Sequence, residues 1–177
     1  APRDALPLLK TSDLNRALAS ADPPAIDRAA NAIALRLARM HLLGCSSPSE
    51  RAGWRISDDG DAIGLEARLA AAVAANGLDR FLASLRPRHP DYAALHAALA
   101  SETNAAKRTT LSRNMERWRW MPLELGAEYV LVNAASFEAS LWRNGTRAGT
   151  WPVIVGKPSM PTPVFAATIT GVTFNPW

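Results

Sequence analysis

The residues best suited to covalent chemistry are Cys45, the only cysteine of the 177-residue chain, and His41, four residues before it. Residues four apart share one face of a helix, so an imidazolium at His41 would lower the thiol pKa of Cys45 and favour a thiolate nucleophile. Two features oppose this interpretation. Gly44 is expected to end the helix before Cys45, and no third group that would orient the histidine is identifiable. We therefore interpret Cys45 as a small buried hydrophobic residue.

Metal ligands are sparse in the sequence. A single cysteine allows neither an internal disulfide nor a thiolate-rich metal site. The three histidines, His41, His89 and His96, are scattered, and no two of them have a zinc-binding spacing. The segment Asp58-Asp59-Gly60-Asp61 resembles the start of a calcium loop, but the twelfth position holds Leu69 instead of glutamate. We interpret this segment as a turn and a helix cap, and we expect no metal site.

A basic, tryptophan-bearing segment offers a different chemistry. The chain has a formal net charge of +4 and a pI near 9.8, and part of that charge lies in Lys107, Arg108, Arg113, Arg117 and Arg119, interleaved with Trp118 and Trp120. Such a segment can bind a phosphate backbone or stack on bases. Alternatively, the tryptophans pack under the sheet that follows and the arginine stems cover them. We favour packing, because Leu111, Met115 and Trp118 already define one apolar face of a helix.

The elements that would position these residues change character near residue 123. Apolar residues recur at helical spacing over six segments, which predicts helices at 14–21, 24–43, 61–76, 78–85, 92–100 and 108–121. Asp91 is expected to cap the fifth of these helices. Residues 101–107 are polar and are interpreted as a hinge. No apolar run approaches the roughly 18 residues needed to span a bilayer.

From residue 129 the pattern is typical of strands. Residues 129–133 are almost all apolar, which predicts a strand buried on both faces. Apolar and polar residues alternate over 136–143, and Asn144-Gly145 is a strong hairpin signal. Residues 146–155 are predicted to form the second strand of this hairpin. Two further strands are predicted at 165–168 and 169–175. Helices followed by strands predict an α+β fold, with a helical domain at 1–107, a basic Trp-rich helix and linker at 108–128, and a mainly antiparallel β domain at 129–177.

Several blocks of this sequence, in order, resemble the large periplasmic L,D-transpeptidases of Gram-negative bacteria, the YcbB-type members of the YkuD-fold group. The blocks are NMERWRWMP at 114–122, LG at 125–126, YVLVN at 129–133, Phe137, WRNG at 142–145, VIVGKP at 153–158, TPVF at 162–165 and FNP at 174–176. Upstream, LRPRHPDYAALHAALA at 85–100 resembles the end of the helical scaffold domain of the same proteins.

The resemblance implies a periplasmic enzyme that cross-links the peptide stems of peptidoglycan. In that family a cysteine thiolate attacks a stem carbonyl and expels the terminal D-Ala, which leaves an acyl-enzyme. An amine of a neighbouring stem then attacks this acyl-enzyme and forms the cross-link. No metal or organic cofactor is implied. The peptide stems are the implied partners, with no nucleic acid and no membrane span.

The resemblance also implies that the catalytic segment lies outside this chain. The family's Ser-His-Gly-Cys segment follows the Asn-Pro block, whereas this chain stops at Trp177, and Leu43-Gly44-Cys45 lies in the helical part instead. No catalytic residue is therefore assigned. The peptidoglycan-binding module that many members carry between scaffold and catalytic parts is not expected here. We expect the chain alone to be inactive, with the missing remainder, a second chain or a second copy covering the open edge of the sheet.

Two other functions are compatible with the sequence. One is a non-catalytic cell-wall-binding or scaffold protein that has kept the fold. The other is a nucleic-acid-binding module built on the basic Trp helix, for which binding would weaken steeply with salt.

Overall fold

Helices and strands occupy separate parts of the chain in the computed structural model, which describes residues 4–56 and 60–174. Six helices come first: α1 (Ser12–Ser20), α2 (Pro23–Leu43), α3 (Leu65–Ala74), α4 (Leu78–Ser84), α5 (Pro90–Ser101) and α6 (Ala105–Trp118). A two-residue strand, β1 (Trp54–Arg55), lies between α2 and α3. The strands β2 (Glu128–Asn133), β3 (Glu138–Arg143), β4 (Thr146–Pro152) and β5 (Val164–Phe165) follow. The predicted α+β order is confirmed.

Helix ends differ from prediction where side chains other than the expected ones satisfy the first backbone N–H groups. His89, not Asp91, caps α5, because its Nδ1 accepts from the backbone N–H of Asp91 at 3.1 Å. Asn104 caps α6 by accepting from the N–H groups of Ala106 and Lys107 at 3.0 and 3.1 Å. The linker predicted at 101–107 is shorter than expected, since only residues 102–104 separate the two helices. Likewise, α3 begins after a run of turns at 60–64 and not at residue 61.

Two apolar clusters form the core of the helical part. In the first, Ala38 and Leu42 of α2 pack with Leu65 and Leu85. In the second, Tyr92 and Leu99 of α5 pack with Met115 of α6. Met115 lies on the apolar face predicted for α6. In α2 the buried residues are instead confined to its carboxyl-terminal end. None of the helices within residues 4–56 and 60–174 combines the length and apolar character that a membrane crossing requires.

The main sheet is a three-stranded antiparallel meander in the order β2-β3-β4. The turn between β3 and β4 is the predicted Asn144-Gly145 turn, and both residues have positive φ, 48° and 75°, as a type I′ hairpin requires. A bulge lies between Leu141 and Trp142 of β3. Separately, β5 pairs in parallel with β1 of the helical part, Trp54 opposite Val164 and Arg55 opposite Phe165.

The two faces of this sheet have opposite environments. On one face Ser140 and Trp142 are buried, at 4% and 3% exposure. On the other face Val130 and Val132 are 47% and 52% exposed, beside Trp151 at 51%. The prediction that β2 is buried on both faces is therefore wrong for the described residues.

The last predicted strands are also shorter than expected. β4 ends at Pro152, so Val153, Ile154 and Val155 lie beyond it, and Ile154 is fully exposed. The strand predicted at 165–168 is reduced to Val164–Phe165. Residues 169–174 form no strand, and the final residue of that prediction, Asn175, lies outside the described residues.

Candidate functional site

The densest polar cluster surrounds Glu116 on α6. Its Oε1 accepts hydrogen bonds from the backbone N–H groups of Cys45 and Ser46 at 2.6 and 2.8 Å, and from Trp120 Nε1 at 3.1 Å. Its Oε2 pairs with Arg119 Nη1 at 3.4 Å. Burial alone would raise the pKa of the Glu116 carboxyl, but the hydrogen bonds from Ser46, Trp120 and Cys45 outweigh it and lower that pKa. The group is therefore a fixed, ionised acceptor that anchors the loop after α2 to α6.

Arg119 links this cluster to the rest of the helical part. Its side chain is fully buried, and its Nη2 donates both to the backbone carbonyl of Asp4 and to the hydroxyl of Tyr92, the latter at 2.9 Å. The guanidinium also lies 5.6 Å from the centre of the Tyr92 ring. A buried cation needs such partners, since an unpaired one is costly. Arg119 is thus a structural residue and not part of a solvated basic face.

Cys45 is exposed, so the interpretation as a small buried hydrophobic residue is wrong. Its position explains the exposure: Gly44 ends α2 with φ 76°, and Cys45 begins the loop. Neighbouring atoms still desolvate the sulfur and raise the pKa of the Cys45 thiol, and the charge of Glu116 raises it further. A thiol with a raised pKa is a poor nucleophile at neutral pH.

His41 does not activate Cys45. It is buried on α2, and among the described residues no hydrogen bond joins it to Cys45. Burial lowers the pKa of His41 to about 4, partly opposed by the charge of Asp4. The imidazole is therefore neutral at physiological pH and cannot stabilise a thiolate as a cation. The structure does not assemble the Cys–His pair that the sequence spacing suggested.

His89 joins the helical part to the sheet. Its ring stacks on Trp118 with centroids 4.2 Å apart and meets Trp142 of β3 edge-on at 4.4 Å. Its Nε2 is buried and has no hydrogen-bond partner within the described residues. Burial lowers the pKa of His89, with the charge of Asp91 opposing the shift. The Trp118–His89–Trp142 stack, together with the 3.4 Å ion pair between Arg147 and Asp91, fixes the buried face of the sheet against α5 and α6.

The remaining sequence candidates have structural contacts. His96 Nε2 lies 3.3 Å from Asp4 Oδ1. Asp61 does not cap α3, whose N-cap is Gly64; its carboxylate instead accepts from the backbone N–H of Leu123 at 2.8 Å. Asp58 and Asp59 lie outside the described residues. Within residues 4–56 and 60–174, no three histidine, cysteine, aspartate or glutamate side chains are grouped as metal ligands.

Part of the basic Trp helix is committed to internal packing, although no aromatic contact of its tryptophans with the β2-β3-β4 sheet is seen among the described residues. Trp118 stacks on His89, Arg119 is buried, and Arg108 Nη1 donates to the carbonyls of Leu99 and Glu102 at 2.9 and 2.7 Å. Arg108 therefore satisfies the carboxyl end of α5. Two arginines of the segment, Arg113 and Arg117, remain exposed.

These two arginines border an open groove between α6 and the loop that follows α2. The groove has a volume of about 480 Å³ and is lined by Ser46, Glu50, Arg108, Thr109, Ser112, Arg113, Glu116, Arg117 and Trp120. Sequence reasoning missed Glu116 and Glu50, because both lie in this groove through contacts between segments about 70 residues apart. The only sequence signal was the spacing of Glu116 and Trp120, which places both on one side of a helix.

Comparison with known families divides the chain at the same transition from helices to strands. A Scaffold domain family model matches residues 2–99, more than half of the chain. The family model of the L,D-transpeptidase catalytic domain, YkuD, matches residues 127–177. No match was found among curated proteins or among solved structures. The scaffold match, followed by the YkuD match in the order seen here, shows that the chain belongs to the YcbB-like L,D-transpeptidases, which join a scaffold domain to a YkuD catalytic domain.

Proposed function

We propose that this chain supplies the scaffold and the opening strands of the catalytic domain of a periplasmic enzyme that cross-links peptidoglycan peptide stems. In this proposal a cysteine outside the chain attacks the stem carbonyl and forms an acyl-enzyme, which the amine of a second stem resolves. Cys45 takes no part in the reaction. The match to the YkuD catalytic domain over residues 127–177 supports the reaction class.

The observation that carries the proposal is the asymmetry of the β2-β3-β4 sheet. Its inner face already packs on the scaffold through Trp142, whereas its outer face leaves Val130, Val132 and Trp151 about half exposed. Apolar side chains in a row on one sheet face are normally covered by another layer. The proposal assigns that layer, and the catalytic segment, to the rest of the YkuD domain.

The environment of Cys45 supports the assignment of the nucleophile elsewhere. An acyl-transfer cysteine needs a lowered thiol pKa, a base and donors that stabilise the oxyanion. Here the thiol pKa is raised, and the backbone N–H groups of Cys45 and Ser46 are not free to act as oxyanion donors, because both donate to Glu116.

A cross-linking assay on purified peptide stems tests the proposal. We expect residues 1–177 to give no cross-linked dimer, and the gene product expressed to its natural stop codon to give dimer with release of D-Ala. Cys45→Ala in that longer product is expected to leave the rate unchanged. Cross-linking by residues 1–177 that disappears on alkylation of Cys45, or a longer product that never cross-links, would overturn the proposal.

A further inference from the structure

The groove between α6 and the loop after α2 contains charged groups that neither the packing of the fold nor the proposed reaction uses. Arg113 makes no ion pair or hydrogen bond among the described residues, and Arg117 has only a 3.5 Å contact with the neutral side chain of Asn114. The two arginines are four residues apart on α6, so their guanidinium groups share one side of the helix. Like charges at this spacing destabilise a helix slightly. An anionic ligand between them would relieve that repulsion and could be held by both planar guanidinium groups.

A negative group stands on the opposite wall. Glu50 Oε2 accepts from the backbone N–H and the hydroxyl of Ser47, at 2.7 and 2.9 Å, so the carboxylate is held in place by its own loop. The Ser47 N–H lowers the pKa of Glu50, which keeps the group ionised. Glu116, deeper in the groove, already has four donors and is paired with Arg119. The groove therefore presents cations on its helix wall and one available anion on its loop wall.

We propose that this groove binds the free end of a peptidoglycan peptide stem, with Arg113 and Arg117 on its carboxylate and Glu50 on its amine. The choice of ligand rests on the proposed function, which requires a stem that carries both groups. The groove is open to solvent and has a volume of about 480 Å³, so a bound peptide end would remain partly exposed. The hydroxyls of Thr109 and Ser112 donate to backbone carbonyls at 3.0 and 2.8 Å, so their oxygens remain acceptors for the amide N–H groups of a peptide.

The position of the groove suits delivery of a stem to the catalytic domain. Trp120 lines it, and the backbone carbonyl of Trp120 accepts from Trp54 Nε1 at 3.2 Å. Trp54 belongs to β1, which pairs with Val164 of β5 in the YkuD region. A stem bound in the groove thus lies beside the place where the catalytic region contacts the scaffold.

Calorimetric titration of the 177-residue chain with a soluble tetrapeptide stem ending in D-Ala tests the proposal. We expect saturable binding that weakens roughly tenfold in the Arg113→Ala/Arg117→Ala double variant, since two exposed ion pairs are lost. A stem with an amidated carboxyl end is expected to lose a similar factor. Glu50→Gln should weaken binding of the free-amine stem but not of the same stem with an acetylated amine.

The matched control replaces two exposed arginines on other helices, Arg28→Ala/Arg80→Ala, and should not change the affinity. Circular dichroism of each variant verifies that it is folded. Absence of saturation below about 10 mM stem, equal affinity in the Arg113/Arg117 variant, or an equal loss in the Arg28/Arg80 control would overturn the groove assignment. Because cross-linking by the longer gene product is measured separately, a groove that fails to bind stems leaves the proposed function standing.

Discussion

Glu116, the acidic residue of α6, should contribute more to stability than any carboxylate of the loop that follows α2. We consider Glu116→Gln and Glu116→Ala. In both variants Arg119, fully buried, loses its carboxylate partner. In Glu116→Ala the backbone N–H groups of Cys45 and Ser46 also lose the oxygen that accepts them at 2.6 and 2.8 Å.

The magnitudes follow from which bonds survive. Glutamine can keep an oxygen toward the two backbone N–H groups, but these bonds are no longer charge-assisted, a loss of about 1 kcal/mol each. We therefore expect Glu116→Gln to lower the free energy of unfolding by about 2–3 kcal/mol. Removing one partner of a buried pair outright costs about 3–5 kcal/mol, the range expected for Glu116→Ala. Natural domains are stable by only about 5–15 kcal/mol, so either change is large.

Urea unfolding followed by tryptophan fluorescence measures these differences, with Glu66→Gln on α3 as the control that should leave the midpoint unchanged. Two local readouts accompany it. Amide exchange at Cys45 and Ser46 should accelerate, because Glu116 protects both N–H groups. Reaction of Cys45 with a disulfide reagent should also accelerate in Glu116→Gln, because the Glu116 charge helps to raise the thiol pKa. A Glu116→Gln variant with wild-type stability, amide exchange and thiol reactivity would refute the reasoning.

Three further outcomes are expected. A Cβ at Gly44, whose φ is +76°, would clash with Glu116 Oε1, so Gly44→Ala should cost about 1–3 kcal/mol in urea unfolding and less in a Glu116→Ala background. Burial lowers the pKa of His41 from 6.5 to about 4, so the unfolded state binds the proton more readily and the free energy of unfolding should fall by about 3 kcal/mol between pH 6.5 and pH 4. In His41→Leu the free energy of unfolding should depend less on pH over this range. An equal pH dependence in both proteins would contradict this. The half-exposed ion pair between Arg147 and Asp91 at 3.4 Å should contribute at most about 1 kcal/mol, which a double-mutant cycle of Arg147→Ala and Asp91→Ala would measure separately from the other contacts of Arg147.

The helices and the hairpin could be predicted because their signals are local. Proline and glycine fixed the ends of α2, and the Asn144-Gly145 pair selected the turn between β3 and β4. The start of α6 was also readable in principle, since Asn104 is a common N-cap residue placed directly before Ala105. The capping of α5 by His89 was not readable, because histidine is not a common cap and its position is set by two tryptophans from other elements.

The groove and the exposed sheet face could not be predicted because they depend on contacts remote in sequence. An apolar run such as 129–133 has the same pattern whether one face or both faces are covered. From the sequence, Glu116 is indistinguishable from an ordinary surface residue, because its role depends on the hydrogen bond from the distant Cys45 N–H. The exposure of Cys45 follows from its place one residue past the helix end, which overrides its usual preference for burial.

The sheet meets the helical part through a small aromatic contact centred on His89. Trp142 of β3 is 3% exposed, and its ring meets His89, which in turn stacks on Trp118. Among residues 4–56 and 60–174 His89 Nε2 has no hydrogen-bond partner, so the aromatic contacts and the α5 cap hold the ring in place. A substitution at His89 is therefore expected to disturb the packing of Trp142 directly. The inner face of the β2-β3-β4 sheet is thus partly covered by α5, through His89 and the Arg147–Asp91 ion pair.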